Sequence, residues 1–176
     1  LQKPNALYKL SLYKYDNLCP MKQYHIDFLT HISNVDPIFH KVVMSNGEIL
    51  LNCTYTPFRH LVKIILGQQL SLKASETIYM RLENLLGKEY EPTTILNCES
   101  NDLRSIGLSR SKTNCIKAIA KEAGDKDQNF DKLYHLTNDE IIHRLTSIKG
   151  IGIWSAQMFL IFQLQRPDIF ASGDLG

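Results

Sequence analysis

The sequence has no long hydrophobic run and no large excess of charge of either sign. Its longest apolar segment, residues 158–162, is far shorter than the roughly 20 residues that a membrane-spanning helix needs. The formal net charge is +2 over 176 residues, so the overall composition does not indicate a nucleic-acid binder. We therefore expect no association with a membrane, and any anionic partner must be bound by local charges or by backbone amide groups.

Cysteine is scarce and never closely spaced. The four cysteines, Cys19, Cys53, Cys98 and Cys115, form no C-x-x-C pair, so the usual spacing of a zinc knuckle or a metal cluster is absent from the sequence. Because nothing in the composition indicates a secreted protein, we interpret the cysteines as reduced, buried thiols rather than disulfides.

Strand patterns are also scarce, whereas signals for the start of a helix recur along the chain. A capping residue precedes proline at Asp36 and again at Thr56, and Thr137 forms a capping box with Glu140. Together with the apolar periodicity, these signals predict an all-α protein of about seven short helices.

The segment after Thr56 predicts two helices separated by a polar turn. Residues 58–66 carry apolar side chains on one side, and the segment GQQLS at residues 67–71 interrupts them. Ser71 is a suitable cap for the second helix. The residues of that helix that we expect to face inward are Leu72, Ile78, Leu82, Leu85 and Leu86.

The most informative segment is LTSIKGIGIWSA at residues 145–156. A short helix runs into Gly150 and Ile151, and a second, apolar helix begins at Gly152. Gly150 takes the turn, Ile151 fills the space between the helices, and Gly152 leaves an amide group free to bind a phosphate. This pattern resembles the helix-hairpin-helix motif; a hairpin with two purely structural glycines is the alternative.

The resemblance to this motif implies a grip on one DNA strand that does not depend on base sequence. The contacts would come from Gly150, Ile151, Gly152 and Lys149. A monovalent cation held by the backbone carbonyls of Ile148 and Gly150 would help to bind the phosphate, and we expect no other cofactor.

With Asp174 after the hairpin, the chain resembles the helix-hairpin-helix/Asp (HhH-GPD) superfamily of DNA glycosylases. Two further segments are similar to its alkylation-repair branch, the 3-methyladenine DNA glycosylase II type. ILGQQLS at residues 65–71 resembles I-L-x-Q-Q-[IL]-S of that branch, and LRSIGLSRSK at residues 103–112 resembles its L-R-x-x-G-L-S-x-x-K turn. The resemblance spans residues 36–176.

The resemblance implies two small helical lobes with a cleft between them. Residues 36–176 would form the glycosylase domain, and residues 1–35 would be an N-terminal arm or part of the second lobe. Members of the family continue for several helical turns beyond the D-L-G found here at residues 174–176. We therefore expect a truncated C-terminus that lacks those helices, and a monomer whose partner is double-stranded DNA with alkylated bases.

A base inside a duplex must rotate out of the stack before an enzyme can act on it. The resemblance places the side chain that fills the gap in the turn at residues 107–112, where Leu108 and Arg110 are the candidates. It also places Gln69 and Ser71 near the DNA. Ordinary connections between helices are the alternative at both turns.

The base pocket is expected at Trp154, the only tryptophan of the chain, and at Met158 one helical turn later. Lyase members of the superfamily carry lysine at the position of Trp154, and tryptophan cannot act as that nucleophile. The resemblance therefore implies a monofunctional enzyme that leaves an abasic site. The indole face suits the positive charge of an alkylated purine; a tryptophan of the core is the alternative.

Asp174 matches the catalytic carboxylate of the family. It would stabilise the positive charge that develops on the sugar and orient a water, as a carboxylate does in glycoside hydrolysis. Asp168 is a nearby rival, but it follows Arg166 and Pro167 and is interpreted as part of the helix end.

The resemblance implies a base-excision repair DNA glycosylase that hydrolytically removes alkylated purines. We expect it in the nucleus of a eukaryote or in the cytoplasm of a bacterium. The alternatives are a helix-hairpin-helix module that binds DNA without chemistry, and a glycosylase for mismatched or deaminated bases.

Overall fold

The computed structural model describes residues 21–46, 54–125 and 130–174. Within these residues the chain forms nine α-helices, one 3-10 helix and no β-strand, which confirms the all-α class. None of the helices in this part of the chain combines the length and the apolar character that crossing a membrane requires.

The chain divides into two compact units, Leu1–Asn52 and Cys53–Gly176. All the candidate site residues belong to the second unit. The expected boundary between an arm and a glycosylase domain at residue 36 stays a prediction, and so does the expected cleft between two lobes.

The first unit contains a pair of packed helices, α1 (Met21–Val35) and α2 (Pro37–Asn46). Asp36 caps α2 as predicted, because its carboxylate accepts the Phe39 amide at 2.9 Å. The sequence patterns did not predict α1, and residues 1–20 of the expected arm lie outside the described residues.

The second unit contains the other helices. They are α3 (Pro57–Gly67), α4 (Leu72–Leu86), α5 (Pro92–Asn97), α6 (Ser100–Ser105), α7 (Arg110–Gly124), a 3-10 helix (Phe130–His135), α8 (Asn138–Ser147) and α9 (Ile153–Phe162). Three of the observed helices are additional to the seven predicted ones: α1, α5 and the 3-10 helix. Both α5 and the 3-10 helix have only six residues, which is too short to show a helical period.

The helix α3 is the main apolar support of this unit. Its predicted apolar stripe is confirmed, since Phe58, Leu61, Val62 and Ile65 are all buried. Helices α4, α7 and α9 and the 3-10 helix all pack on α3. Burial of each such side chain contributes about 1.5–3 kcal/mol, so these four side chains hold the surrounding helices to one core.

The helix α4 corrects one expectation from the sequence. Leu82 is buried as predicted, but Leu72 is 85% exposed and Leu85 is 40% exposed. Leu72 is the first residue of α4. Leu86, the last residue of the helix, packs against the core, so the exposure of Leu85 reflects the side of the helix on which it lies and not its position near the end. The periodicity predicts which face of a helix is apolar, but not how much of that face is covered.

A polar network lies beside the apolar stripe of α3. Nδ1 of His60 lies 2.7 Å from the side-chain oxygen of Gln163, and the Gln163 side-chain nitrogen donates to the Tyr134 hydroxyl at 2.9 Å. Since that oxygen is an acceptor, the His60 ring donates from Nδ1. Burial is the main cause that lowers the pKa of His60.

We predict that the protein loses stability in acid below about pH 6.5, the pKa of histidine in an unfolded chain. Because burial lowers the pKa of His60 in the folded protein, the unfolded state takes up the proton first as the pH falls. The stabilisation is complete above the unfolded pKa and is lost progressively towards the folded pKa, by at most about 1.4 kcal/mol per pH unit.

Urea unfolding of the parent and of His60→Gln at pH values from about 7 to about 5.5 measures this loss. The stability of His60→Gln should depend less on pH than that of the parent. His143→Gln, at an exposed position, serves as the control. Equal pH dependence in the parent and in His60→Gln would show that His60 is not the responsible group.

Candidate active site

The predicted pair of helices around the glycine turn is confirmed. The helix α8 ends at Ser147, and the amide of Ile148 still donates to the Leu145 carbonyl at 3.1 Å. The Ile151 amide then closes the turn on the Ile148 carbonyl at 3.0 Å, and Gly152 is the N-cap residue directly before α9.

Gly150 is required by the packing of the protein itself. Its φ is +100°, in the region that residues with a side chain rarely adopt. A Cβ atom there would lie 2.8 Å from Sγ and 2.9 Å from Cβ of Cys115 in α7. The turn can therefore lie this close to α7 because residue 150 has no side chain.

The space around Gly152, in contrast, is open. Its backbone is extended, with φ −96° and ψ 173°, a conformation open to any residue. A Cβ atom there would meet nothing within 4 Å, and no side chain caps the start of α9. The first amide groups of a helix have no partner inside it, so this end of α9 is open to a ligand from outside.

The other predicted hairpin residues differ in exposure. Ile148 and Ile151 are buried in the core, which places Ile151 between the helices as predicted, whereas Lys149 is exposed. The Ile148 carbonyl accepts one hydrogen bond and keeps a second lone pair. Neutral oxygens of this kind suit a monovalent cation, while the contacts of the hairpin with DNA stay predictions.

The residues proposed for base binding and for catalysis are in direct contact. The indole Nε1–H of Trp154 donates to a carboxylate oxygen of Asp174 at 3.1 Å. Trp154 is partly exposed in the first turn of α9, and Asp174 is exposed in a turn that its amide closes on the Ala171 carbonyl at 3.0 Å. The carboxylate is thus oriented by the indole and remains accessible to a substrate.

The rival carboxylate, Asp168, has a different partner. It accepts the side-chain amide of Asn138 at 3.0 Å, which ties the segment after α9 to the start of α8. Asp168 therefore has a structural role, which supports the choice of Asp174 as the catalytic candidate.

Met158 is 7% exposed and lies one helical turn after Trp154 in α9. An i and i+4 pair shares one face of a helix. Met158 therefore lies on the same face of α9 as the indole, and its place in a base pocket stays a prediction.

In the turn expected to insert a side chain into the DNA, the two candidate residues differ in exposure. Leu108 is 4% exposed and packs in the core, whereas a side chain that enters the base stack must reach the surface. Arg110 is exposed at the first residue of α7. Of the two candidates for the inserted side chain, Arg110 is therefore the accessible one.

Most of the turn between α3 and α4 is exposed. Gln69 has φ +58°, an uncommon conformation for a residue with a side chain, and it is exposed. Ser71 caps α4 by accepting the Ala74 amide at 3.3 Å, so it has a structural use whether or not it contacts DNA. The apolar side chains of Leu70 and Leu72 reach solvent beside it, a feature that the helical periodicity did not predict.

Comparison with known proteins decides the family. A model of the HhH-GPD superfamily of base excision DNA repair proteins matches residues 62–176, which include the hairpin, Trp154 and Asp174. The chain belongs to this superfamily. The matched range also contains the turn between α3 and α4 and the start of α7.

Two similar curated proteins are yeast DNA-3-methyladenine glycosylases. The Schizosaccharomyces pombe protein is 31% identical over 151 residues, which cover 82% of this chain and 66% of that protein. The Saccharomyces cerevisiae protein is 35% identical over 162 residues, which cover 83% of this chain and 55% of that protein. The chain therefore spans less than two thirds of the length of these relatives.

Two similar solved structures have the same fold. The DNA-3-methyladenine glycosidase of Bacillus halodurans is 34% identical with a TM-score of 0.72, and the match covers 82% of this chain and 67% of that one. The Schizosaccharomyces pombe 3-methyladenine DNA glycosylase in complex with abasic DNA is 31% identical with a TM-score of 0.69, over 84% of this chain and 74% of that one.

We predict opposite outcomes for alanine at the two hairpin glycines. Gly150→Ala should lower the free energy of unfolding by about 1–3 kcal/mol, because a positive φ is strained for alanine and its Cβ meets Cys115. Gly152→Ala should change it by less than about 0.5 kcal/mol, because the space around it is open. Chemical denaturation measures both values, and equal losses at the two positions would contradict the distinction between them.

Proposed function

We propose that this protein is a monofunctional DNA glycosylase that removes alkylated purines from double-stranded DNA. The observation that carries the proposal is the 3.1 Å hydrogen bond from the Trp154 indole to Asp174, beside the uncapped start of α9. This part of the protein thus has an aromatic surface for a base, a carboxylate for the sugar and free amide groups for a phosphate. The family and the names of the similar yeast and bacterial proteins support it.

The proposed reaction is hydrolysis of the bond between the base and C1′ of the sugar. The base leaves with the bonding electrons, and positive charge develops on C1′ and the ring oxygen. The carboxylate of Asp174 stabilises this charge and orients a water molecule. The water adds to C1′ and releases a proton to solvent through the carboxylate. A purine that is already cationic leaves as a neutral base, so the step needs no second carboxylate as a strong acid.

Trp154 determines what this reaction leaves behind. An indole has no amine that could attack C1′, so no Schiff base forms at this position and the strand stays intact. The product is therefore an abasic site. The face of the same indole attracts a cationic purine, which favours alkylated bases over neutral ones.

The hairpin is proposed to hold the DNA backbone while the base is turned out. A phosphate would approach the amide groups at the start of α9, since the space around Gly152 is open. A monovalent cation on the carbonyls of Ile148 and Gly150, together with the exposed Lys149, would supply positive charge there. Arg110 and the exposed residues Gln69 and Ser71 are proposed to support the distorted duplex.

We predict that Asp174→Asn lowers the rate of base release from alkylated duplex DNA by about 100-fold or more, as the loss of an electrostatic group at a reacting centre does. Asparagine keeps an oxygen that accepts the Trp154 indole N–H, so the variant removes the charge and retains the contact. The rate is measured in single turnover at saturating enzyme.

Asp168→Asn is the matched control, because this carboxylate accepts the Asn138 amide instead. It should release the base at the rate of the parent. Both variants should bind a duplex with an abasic site as the parent does. Undiminished base release by Asp174→Asn would remove Asp174 from the mechanism.

We also predict that Trp154→Leu weakens the preference of the enzyme for cationic bases. Loss of the indole face should slow the release of a cationic methylated purine by about 10-fold more than that of a neutral deaminated purine, the size expected for a cation–π contact. Trp154→Phe keeps an aromatic face and should lose less of this preference. Equal slowing of both substrates would contradict the preference for cationic bases without affecting the role of Asp174.

A further inference from the structure

Hydrogen bonds join three turns that come from separate segments of the second unit. These turns are residues 68–71 after α3, the first turn of α7 and the first turn of α9. The side chains that join them are Gln68 and Lys112, here called the brace. Neither side chain has a use in the function proposed above.

Gln68 connects the first of these turns to α9. Its side-chain amide Nε2 donates to Oγ of Ser155 at 2.7 Å, across 87 residues of sequence. Ser155 is almost fully buried and directly follows Trp154. The contact therefore fixes the turn at residues 68–71 against the part of α9 that carries the indole.

Lys112 connects the same turn to α7. Its ammonium Nζ donates to the carbonyls of Leu66 and Gln68, each at 2.8 Å. These carbonyls lie at the end of α3, where the last oxygens of a helix have no partner inside it and where a cation is favourable. The ammonium group of Lys112 thus forms hydrogen bonds to carbonyl oxygens of the protein itself. A role of Lys112 as a simple phosphate contact would not explain these two bonds.

The backbone of Gln69 shows that this turn is held under strain. Its φ of +58° is unfavourable for a residue with a side chain. Strain of this kind persists where the surroundings fix the conformation. The fixed points are Gln68 on one side and the cap at Ser71 on the other.

We propose that Gln68 and Lys112 are positioning residues, which hold the three turns in one arrangement so that DNA is gripped while the Trp154–Asp174 pair faces the sugar. The inference rests on the proposed function, since it names the residues that align the DNA contacts with the reacting carboxylate. Both residues act through the turns they hold and do not touch the substrate.

The chain offers a matched control in the same helix. Lys117 of α7 donates from Nζ to the Cys98 carbonyl at 2.8 Å, at the end of α5. Lys117→Met therefore removes the same kind of contact as Lys112→Met, but at a helix end outside the three turns. Comparison of Lys112→Met with Lys117→Met therefore distinguishes a general loss of stability from a loss of positioning.

The experiment measures each variant well below its melting temperature, so that all are folded. Lys112→Met and Gln68→Leu should slow base release at saturating alkylated duplex by about 10-fold or more, as misplacement of reacting groups does. They should also weaken binding to a duplex with an abasic analogue. Lys117→Met should leave both quantities at the parent values, and Lys112→Arg, which can donate to both carbonyls, should restore most of the rate.

A second readout does not depend on catalysis. Trp154 is the only tryptophan, so its indole gives a single ¹⁵N–¹H signal whose position reports the hydrogen bond to Asp174. Gln68→Leu and Lys112→Met should shift or broaden this signal, and Lys117→Met should not. If the parent releases no base, the proposed function fails while the indole signal still tests the brace.

Two results would overturn the proposal. One is that Lys112→Met and Lys117→Met have the same rate, affinity and indole signal. The other is that Gln68→Leu and Ser155→Ala have independent, additive effects on the rate, because two groups that act through one hydrogen bond must be coupled.

Discussion

The placement of the candidate site depends on the burial of α9. Its middle residues, including Ala156, Phe159 and Leu160, are fully buried, whereas Ile153 at its start and Phe162 at its end are exposed. A helix that is apolar on nearly all sides must lie in the core, and it meets solvent at its ends. The end that follows the hairpin therefore carries both the free amide groups and Trp154.

Close packing around this helix start accounts for the rest of the site. The turn at Gly150 lies against Cys115 of α7 at a distance that leaves no room for a side chain. On the other side, Gln68 reaches Ser155 from the end of α3. The hairpin turn and the start of α9 are thus contacted by α7 and by the end of α3.

Local patterns were sufficient to predict most of the helices. Capping residues marked the starts of α2, α3, α4 and α8, because a cap acts within three or four residues of sequence. The hairpin, Trp154 and Asp174 were identified as site candidates by the resemblance to the superfamily, and the structure brings Trp154 and Asp174 into contact. Leu72 was expected to face inward but is exposed, because burial depends on which other helix covers a residue, and periodicity does not contain that information. Leu108, a candidate for the inserted side chain, is buried in the structure.

The sequence by itself determined the all-α class, the glycine turn and the absence of a lysine at position 154. Tertiary structure alone decided that Gly150 serves packing while Gly152 is open to a ligand, and that the indole touches Asp174 rather than Asp168. It also decided that Lys112 bonds to the end of α3. The physical reason is distance along the chain: helix caps and turns are local, whereas these contacts join residues between 20 and 46 positions apart and depend on how the helices pack.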